Sequence, residues 1–111
     1  MTNHPQLFRA LGDATRMAVI ERLSRGPAAM TELAKPFDMA LPSFSAHLDV
    51  LTECGLISSK KEGRVRTFTL NAKKLGAAEN WLSKQRTEWE RRLDQLDDYL
   101  LTLNKKKEEK R

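Results

Sequence analysis

Six large apolar residues late in the chain, Leu82, Trp89, Leu93, Leu96, Leu100 and Leu103, follow one another at steps of seven, four, three, four and three. This is a heptad seam, which puts all six on one stripe of a long helix, from about residue 73 to 103. Leu75, Trp81 and Tyr99 widen the stripe, and Arg86 interrupts it at a seam position. A chain of 111 residues has room for one domain with a modest core. Burying one such side chain is worth roughly 1.5–3 kcal/mol, and the rest of the chain is too short to cover them all. The seam therefore needs a partner, most simply a second copy of the chain; folding back on a monomeric core is the other way to bury it.

The preceding residues read as short helices followed by a hairpin. Leu7, Phe8 and Leu11 share one stripe of a first segment over 6–11. Asp13 is suited to cap a second helix that buries Met17, Val19, Ile20 and Leu23 and stops at Arg25-Gly26-Pro27. Thr31 is placed to cap a short third helix, tightened or bent by Pro36, with Phe37 and Met39 anchoring its end. A fourth starts near Pro42, buries Phe44, Leu48 and Leu51, and ends at Cys54 with Gly55 as a left-handed cap. The period then alternates: residues 56–61 and 64–70 read as strands around a Glu62-Gly63 turn, with Phe68 and Leu70 sharing a face with Arg64 and Arg66. The fold class is mainly α with a small β-hairpin.

Composition narrows the function. No apolar run approaches the ~20 residues of a membrane span, and Met1-Thr2-Asn3-His4-Pro5 lacks the layout of a signal peptide, so a cytoplasmic location is expected. One cysteine, Cys54, rules out an internal disulfide and a multi-cysteine metal cage. It reads as a small buried filler, the sharper alternative being a redox switch. Of the net charge of +5, +3 comes from Lys105, Lys106, Lys107, Lys110 and Arg111 against Glu108 and Glu109, which leaves +2 on the rest. Residues 104–111 read as a disordered basic tail outside a domain of residues 1–103. Ser45 and His47, two apart on one helix, do not face each other as a nucleophile and base would. With no paired carboxylates in an apolar setting and no glycine-rich phosphate loop, the chain does not read as an enzyme.

Two short helices, a basic hairpin and an associating helix make a DNA-binding layout. The second helix of the pair would offer Pro42, Ser43, Ser45, Ala46, His47 and Asp49 to base edges in the major groove. His47 can equally pack at the start of that helix. Lys60, Lys61, Arg64 and Arg66 cluster on the hairpin, offset by Glu62, and suit phosphate contact or minor-groove insertion. The same layout also fits an adaptor that binds protein through its winged helix and uses the long helix as a coiled-coil handle.

Residues 7–16 (Leu7-Phe8-Arg9-Ala10-Leu11-Gly12-Asp13-Ala14-Thr15-Arg16) resemble the opening of the ArsR/SmtB family of winged helix-turn-helix repressors. So do residues 43–51, Cys54-Gly55-Leu56-Ile57 and Gly63-Arg64; residues 32–42 and 89–97 resemble one branch in particular. The resemblance spans about residues 6–103. It implies a recognition helix at 42–53, a wing at 57–70, double-stranded DNA as partner, and a homodimer paired through the first and last helices. That pairing would use Leu7 and Phe8 with Leu82, Trp89, Leu93, Leu96, Leu100 and Leu103. Ala40 stands where relatives usually have a capping Ser, and Ala46 and Asp49 stand where polar or basic residues are common. Residues 31–38 contain no thiolate and no His lies beyond His47, so the soft or borderline metals this family senses lack ligands here. No cofactor is expected; an effector would be a small molecule or a protein.

Overall fold

In the computed structural model, which describes residues 4–109, α1 covers His4–Leu11 and α2 covers Ala14–Leu23. Between them Asp13 lies in extended backbone and accepts from the Arg16 backbone N–H at 3.0 Å, the cap expected from the sequence. A two-residue strand, β1 (Ala28–Ala29), leads into α3 (Met30–Ala34) and then α4 (Leu41–Glu53). Helix α4 ends as a Schellman motif: Gly55 N–H donates to the Thr52 carbonyl and Leu56 N–H to that of Leu51. Gly55 has φ +81°, which explains a glycine here.

β2 (Ile57–Glu62) and β3 (Val65–Leu70) form the hairpin, and β3 also pairs with β1, giving an antiparallel sheet in the order β1-β3-β2. The register sets Ile57 opposite Leu70, Ser59 opposite Phe68 and Lys61 opposite Arg66. Phe68 brings the sheet onto a core of Leu7, Val19, Leu23, Leu33, Phe44, Leu48, Leu51, Leu56 and Ile57. The ring of Phe37 stacks on Phe44 at 5.5 Å between centroids. With four short helices, α1 to α4, around a small sheet, the architecture is a winged helix-turn-helix.

Five details differ from the sequence reading, the first being that Met17 is exposed on α2, whose buried side is Val19, Ile20 and Leu23. Helix α3 starts one residue before Thr31, with Ala29 in the cap position and no side-chain capping bond, because Ala28 and Ala29 are held by Phe68 and Thr67 across the sheet. It ends at Ala34, so Pro36 follows the helix and does not bend it. The hairpin turn is Gly63-Arg64, since Glu62 pairs with Val65. Gly63 has φ +61° and Arg64 does not share a positive φ, which among the mirror-image turns fits type II′. Arg64 therefore sits in the turn, off the strand face that carries Phe68.

The last helix, α5, runs Ala72–Glu109, six residues past the expected end at Leu103. The expected tail of residues 104–111 is thus helical through Glu109, and Lys110 and Arg111 lie outside the described residues. The described residues fall into two units divided between Ala78 and Glu79. The first holds the core just described. The second is a single helical segment in which no described side chain is buried.

Candidate nucleic-acid interface

Helix α4 is held by one face and open on the other. Phe44, Leu48 and Leu51 are buried, and at ~100° per residue the opposite face carries Pro42, Ser43, Ala46 and Asp49, all exposed. Ser45 and His47 flank that face and are half-buried. The structure thus brings together the six residues singled out on this helix, Pro42, Ala46 and Asp49 at the centre of the open face, Ser43 to one side of them, and Ser45 and His47 at its edges. Ala40 occupies the N-cap with no side-chain bond, so the first N–H groups of α4 have no side-chain acceptor.

On the wing, Lys60, Lys61, Arg64 and Arg66 are all exposed. They are not equivalent. Lys60 Nζ lies 3.3 Å from a Glu62 carboxylate oxygen, and Arg66 Nη1 donates to Ser59 Oγ at 2.9 Å. Among the described residues Lys61 and Arg64 have no ion-pair partner, which leaves them the freest cations of the ribbon. Val65, beside the turn, is an exposed apolar residue that charge patterning did not single out.

A depression of about 330 Å³ separates α4 from the sheet, lined by Ser45, Asp49 and Thr52 of α4 and by Ser59, Arg66 and Phe68. It places an acid and a base on facing walls between the helix and the wing. Thr52 and Ser59 were missed from the sequence, since only the pairing of β2 with β3 brings Ser59 to this place.

A second cluster sits at the corner between α1, α2 and α4. Arg16 donates from Nε to the Ala10 carbonyl at 2.6 Å and from Nη2 to that of Arg9 at 3.2 Å, while Nη1 meets His47 Nδ1 at 3.1 Å. Asp13 Oδ2 is 3.7 Å from the same ring nitrogen. Asp13 is held below the ordinary carboxylate range, chiefly by the Arg16 backbone N–H, and further by the Arg16 charge and, in acid where the ring is protonated, by that of His47. His47 is therefore tied inward through Nδ1.

The expected pairing residues divide sharply. Leu7 is completely buried in the core of its own unit, so it has no surface to offer a second copy, and its place in the expected interface is corrected. Phe8 is half-buried against the same core. Leu82, Trp89, Leu93, Leu96, Leu100 and Leu103 are all exposed, at 40–61% of their surface.

A family profile described as a helix-turn-helix domain matches residues 11–59. The transcriptional repressor SdpR of Bacillus subtilis is 30% identical over 76 residues, which cover 68% of this chain and 84% of that protein. The crystal structure of an ArsR family transcriptional regulator superposes with a TM-score of 0.74 at 52% identity, covering 78% of this chain and 89% of that one. The chain belongs to the ArsR family of transcriptional regulators. The HTH-type transcriptional regulator Rv2034 of Mycobacterium tuberculosis is 39% identical over 70 residues, or 63% of this chain; the match spans just under two thirds of that protein, 65%. Within the ArsR family frame, α3 and α4 are the helix-turn-helix pair and β2–β3 the wing. The family profile ends at residue 59, so it covers α4 and leaves out the basic tip of the wing and all of α5.

Proposed function

We propose that the chain is a homodimeric DNA-binding repressor that holds a pseudo-palindromic operator. The observation that carries this is the two-sidedness of α4, whose Phe44, Leu48 and Leu51 are locked in the core while Pro42, Ser43, Ala46 and Asp49 stand free. That open face would lie in the major groove, where Ser43 and Ser45 reach base edges and Asp49 accepts from a cytosine amino group. The uncapped start of α4 suits a nearby phosphate. Lys61 and Arg64 would track the backbone. The apolar stripe of residues 82–103 supports dimerisation, with residues 1–103 as the working unit. Two copies of α4 would then enter successive grooves roughly 10 bp apart.

Release of the operator is read here as independent of metal. Among the described residues no three His, Cys, Asp or Glu side chains group as a metal site requires. Cys54 is buried, with its thiol donating to the Leu51 carbonyl at 3.4 Å, which supports a packing role. Among the described residues no helix is long and apolar enough to cross a membrane.

The test is selection of bound sequences from a random duplex library at two salt concentrations. A palindrome with turn-spaced halves is the expected result; no binding even at low salt sinks the reading and favours the protein-binding adaptor. Variants then separate the two surfaces. Arg64→Ala should weaken binding to every sequence and lower the salt slope by about 0.9, whereas Ser43→Ala should change which sequences are preferred. Altered preference from Arg64→Ala with none from Ser43→Ala would reverse these roles.

A further inference from the structure

We infer that Arg16 locks His47 into the tautomer that carries its proton on Nε2, giving the flank of α4 a neutral donor for a DNA phosphate; the phosphate part rests on the DNA-binding reading above. Arginine has five N–H donors and no acceptor. With Nη1 3.1 Å from His47 Nδ1, Nδ1 is the acceptor and the ring proton is on Nε2. The other candidate partner, Asp13 Oδ2, is 3.7 Å from Nδ1, too far for a hydrogen bond, and already accepts from the Arg16 backbone N–H at 3.0 Å. Arg16 is itself held, since its Nε and Nη2 are spent on the Ala10 and Arg9 carbonyls at the end of α1. One side chain thus joins the last turn of α1 to the recognition helix and sets the ring that lies between them.

Nε2 of His47 is the free end of this arrangement. It has no hydrogen-bond partner among the described residues and is not sealed from solvent, and the side chain keeps 24% of its surface. His47 lies on the edge of α4 next to Ser43, one turn away, and off the line of Pro42, Ala46 and Asp49. His47 is on the edge that Arg16 ties to the end of α1, opposite the edge of Ser45, and there its donor would meet the sugar–phosphate strand and not the base edges. Such a contact fixes how the helix is docked and carries no sequence information. Arg16 is then a positioning residue, acting on DNA only through His47.

Long-range proton–nitrogen NMR of the ring in the DNA-free protein, at about pH 8 and so above the ordinary imidazole range, reads the tautomer directly. The expected pattern is Nε2–H, giving way to a mixture in Arg16→Gln with helicity retained. A dominant Nδ1–H pattern in the wild-type chain overturns the inference even if Arg16→Gln fails to fold. For the DNA part, His47→Gln keeps an N–H near the position of Nε2, while His47→Asn keeps one near Nδ1. Against a pool of random-sequence duplexes at low salt, His47→Gln should bind within about twofold of wild type and His47→Asn roughly five- to tenfold more weakly. Equal binding by the two variants overturns the phosphate contact. A wild-type chain that binds no duplex overturns the DNA reading itself, and the tautomer result stands apart from it.

Discussion

In residues 4–78, Leu7, Leu48, Leu51 and Leu56 keep at most 2% of their surface, whereas in residues 79–109 Leu82, Leu96 and Leu101 keep 50–61%. The residue type is the same and the surroundings are opposite. The first unit closes a core because short connections fold α2, α4 and the sheet onto one another, so that each leucine has neighbours on several elements. The second has only a helix. Its internal support is a few exposed ion pairs, Glu88 with Arg91 at 2.6 Å and with Arg92 at 3.6 Å, and Arg86 with Glu90 at 4.0 Å. Exposed pairs of this kind are screened by solvent and contribute little beside one buried leucine. The first unit thus buries its own leucines, while the second leaves its apolar stripe exposed on a single helix.

The comparison breaks most visibly if the first unit is opened. Phe44 is fully buried and stacked on Phe37. Phe44→Ala removes that packing and leaves a cavity, so urea unfolding should show a loss of about 4 kcal/mol, independent of protein concentration. A loss below about 1 kcal/mol would mean that α4 is not seated on the core as described.

The next largest effect belongs to the stripe. Leu96→Asp places a charge at the middle of the seam while leaving the core of residues 4–78 untouched. Sedimentation should show the dimer dissociation constant rising about 100-fold, close to 3 kcal/mol, with helicity falling on dilution. An unchanged mass at every concentration would show that the stripe is covered by something other than a second copy, or by nothing.

What could be read from the sequence follows the reach of the rules that apply. Asp13, Gly55, Pro42 and the seam from Leu82 to Leu103 obey local rules of capping and periodicity, and each stands where those rules put it. Ala28 and Ala29 have no strand preference of their own; Phe68 and Thr67, far along the chain, make them β1. The hairpin slipped by one position because a two-residue loop accepts glycine second, as in Glu62-Gly63, or first, as in Gly63-Arg64. Periodicity identified the apolar face of α1 without saying what covers it, and Leu7 proved to face its own core. The link from Arg16 to His47 crosses 31 positions, where no spacing rule applies, although both residues lie inside the segments that carry the family resemblance.

The finest version of the contrast concerns two carboxylates, both held below their ordinary values of 3.8 and 4.5. Asp13 is held chiefly by a backbone N–H, that of Arg16, and Glu88 chiefly by the Arg91 side chain. When folding lowers a pKa, the stabilisation is complete above the unfolded value and is lost as pH falls through the folded one. Asp13→Asn keeps a capping side chain that cannot titrate, so it should flatten the acid-side fall of the urea midpoint below about pH 4. That flattening should persist largely unchanged in high salt, because a backbone hydrogen bond is geometry and not a screened charge. Glu88→Gln should flatten the acid loss of helicity in residues 79–109 at low salt only, since an exposed ion pair is screened away at about 1 M. Salt that erased the Asp13 effect and spared that of Glu88 would show the two causes to be assigned the wrong way round, and with them the distinction between a unit built on backbone geometry and one resting on surface charge.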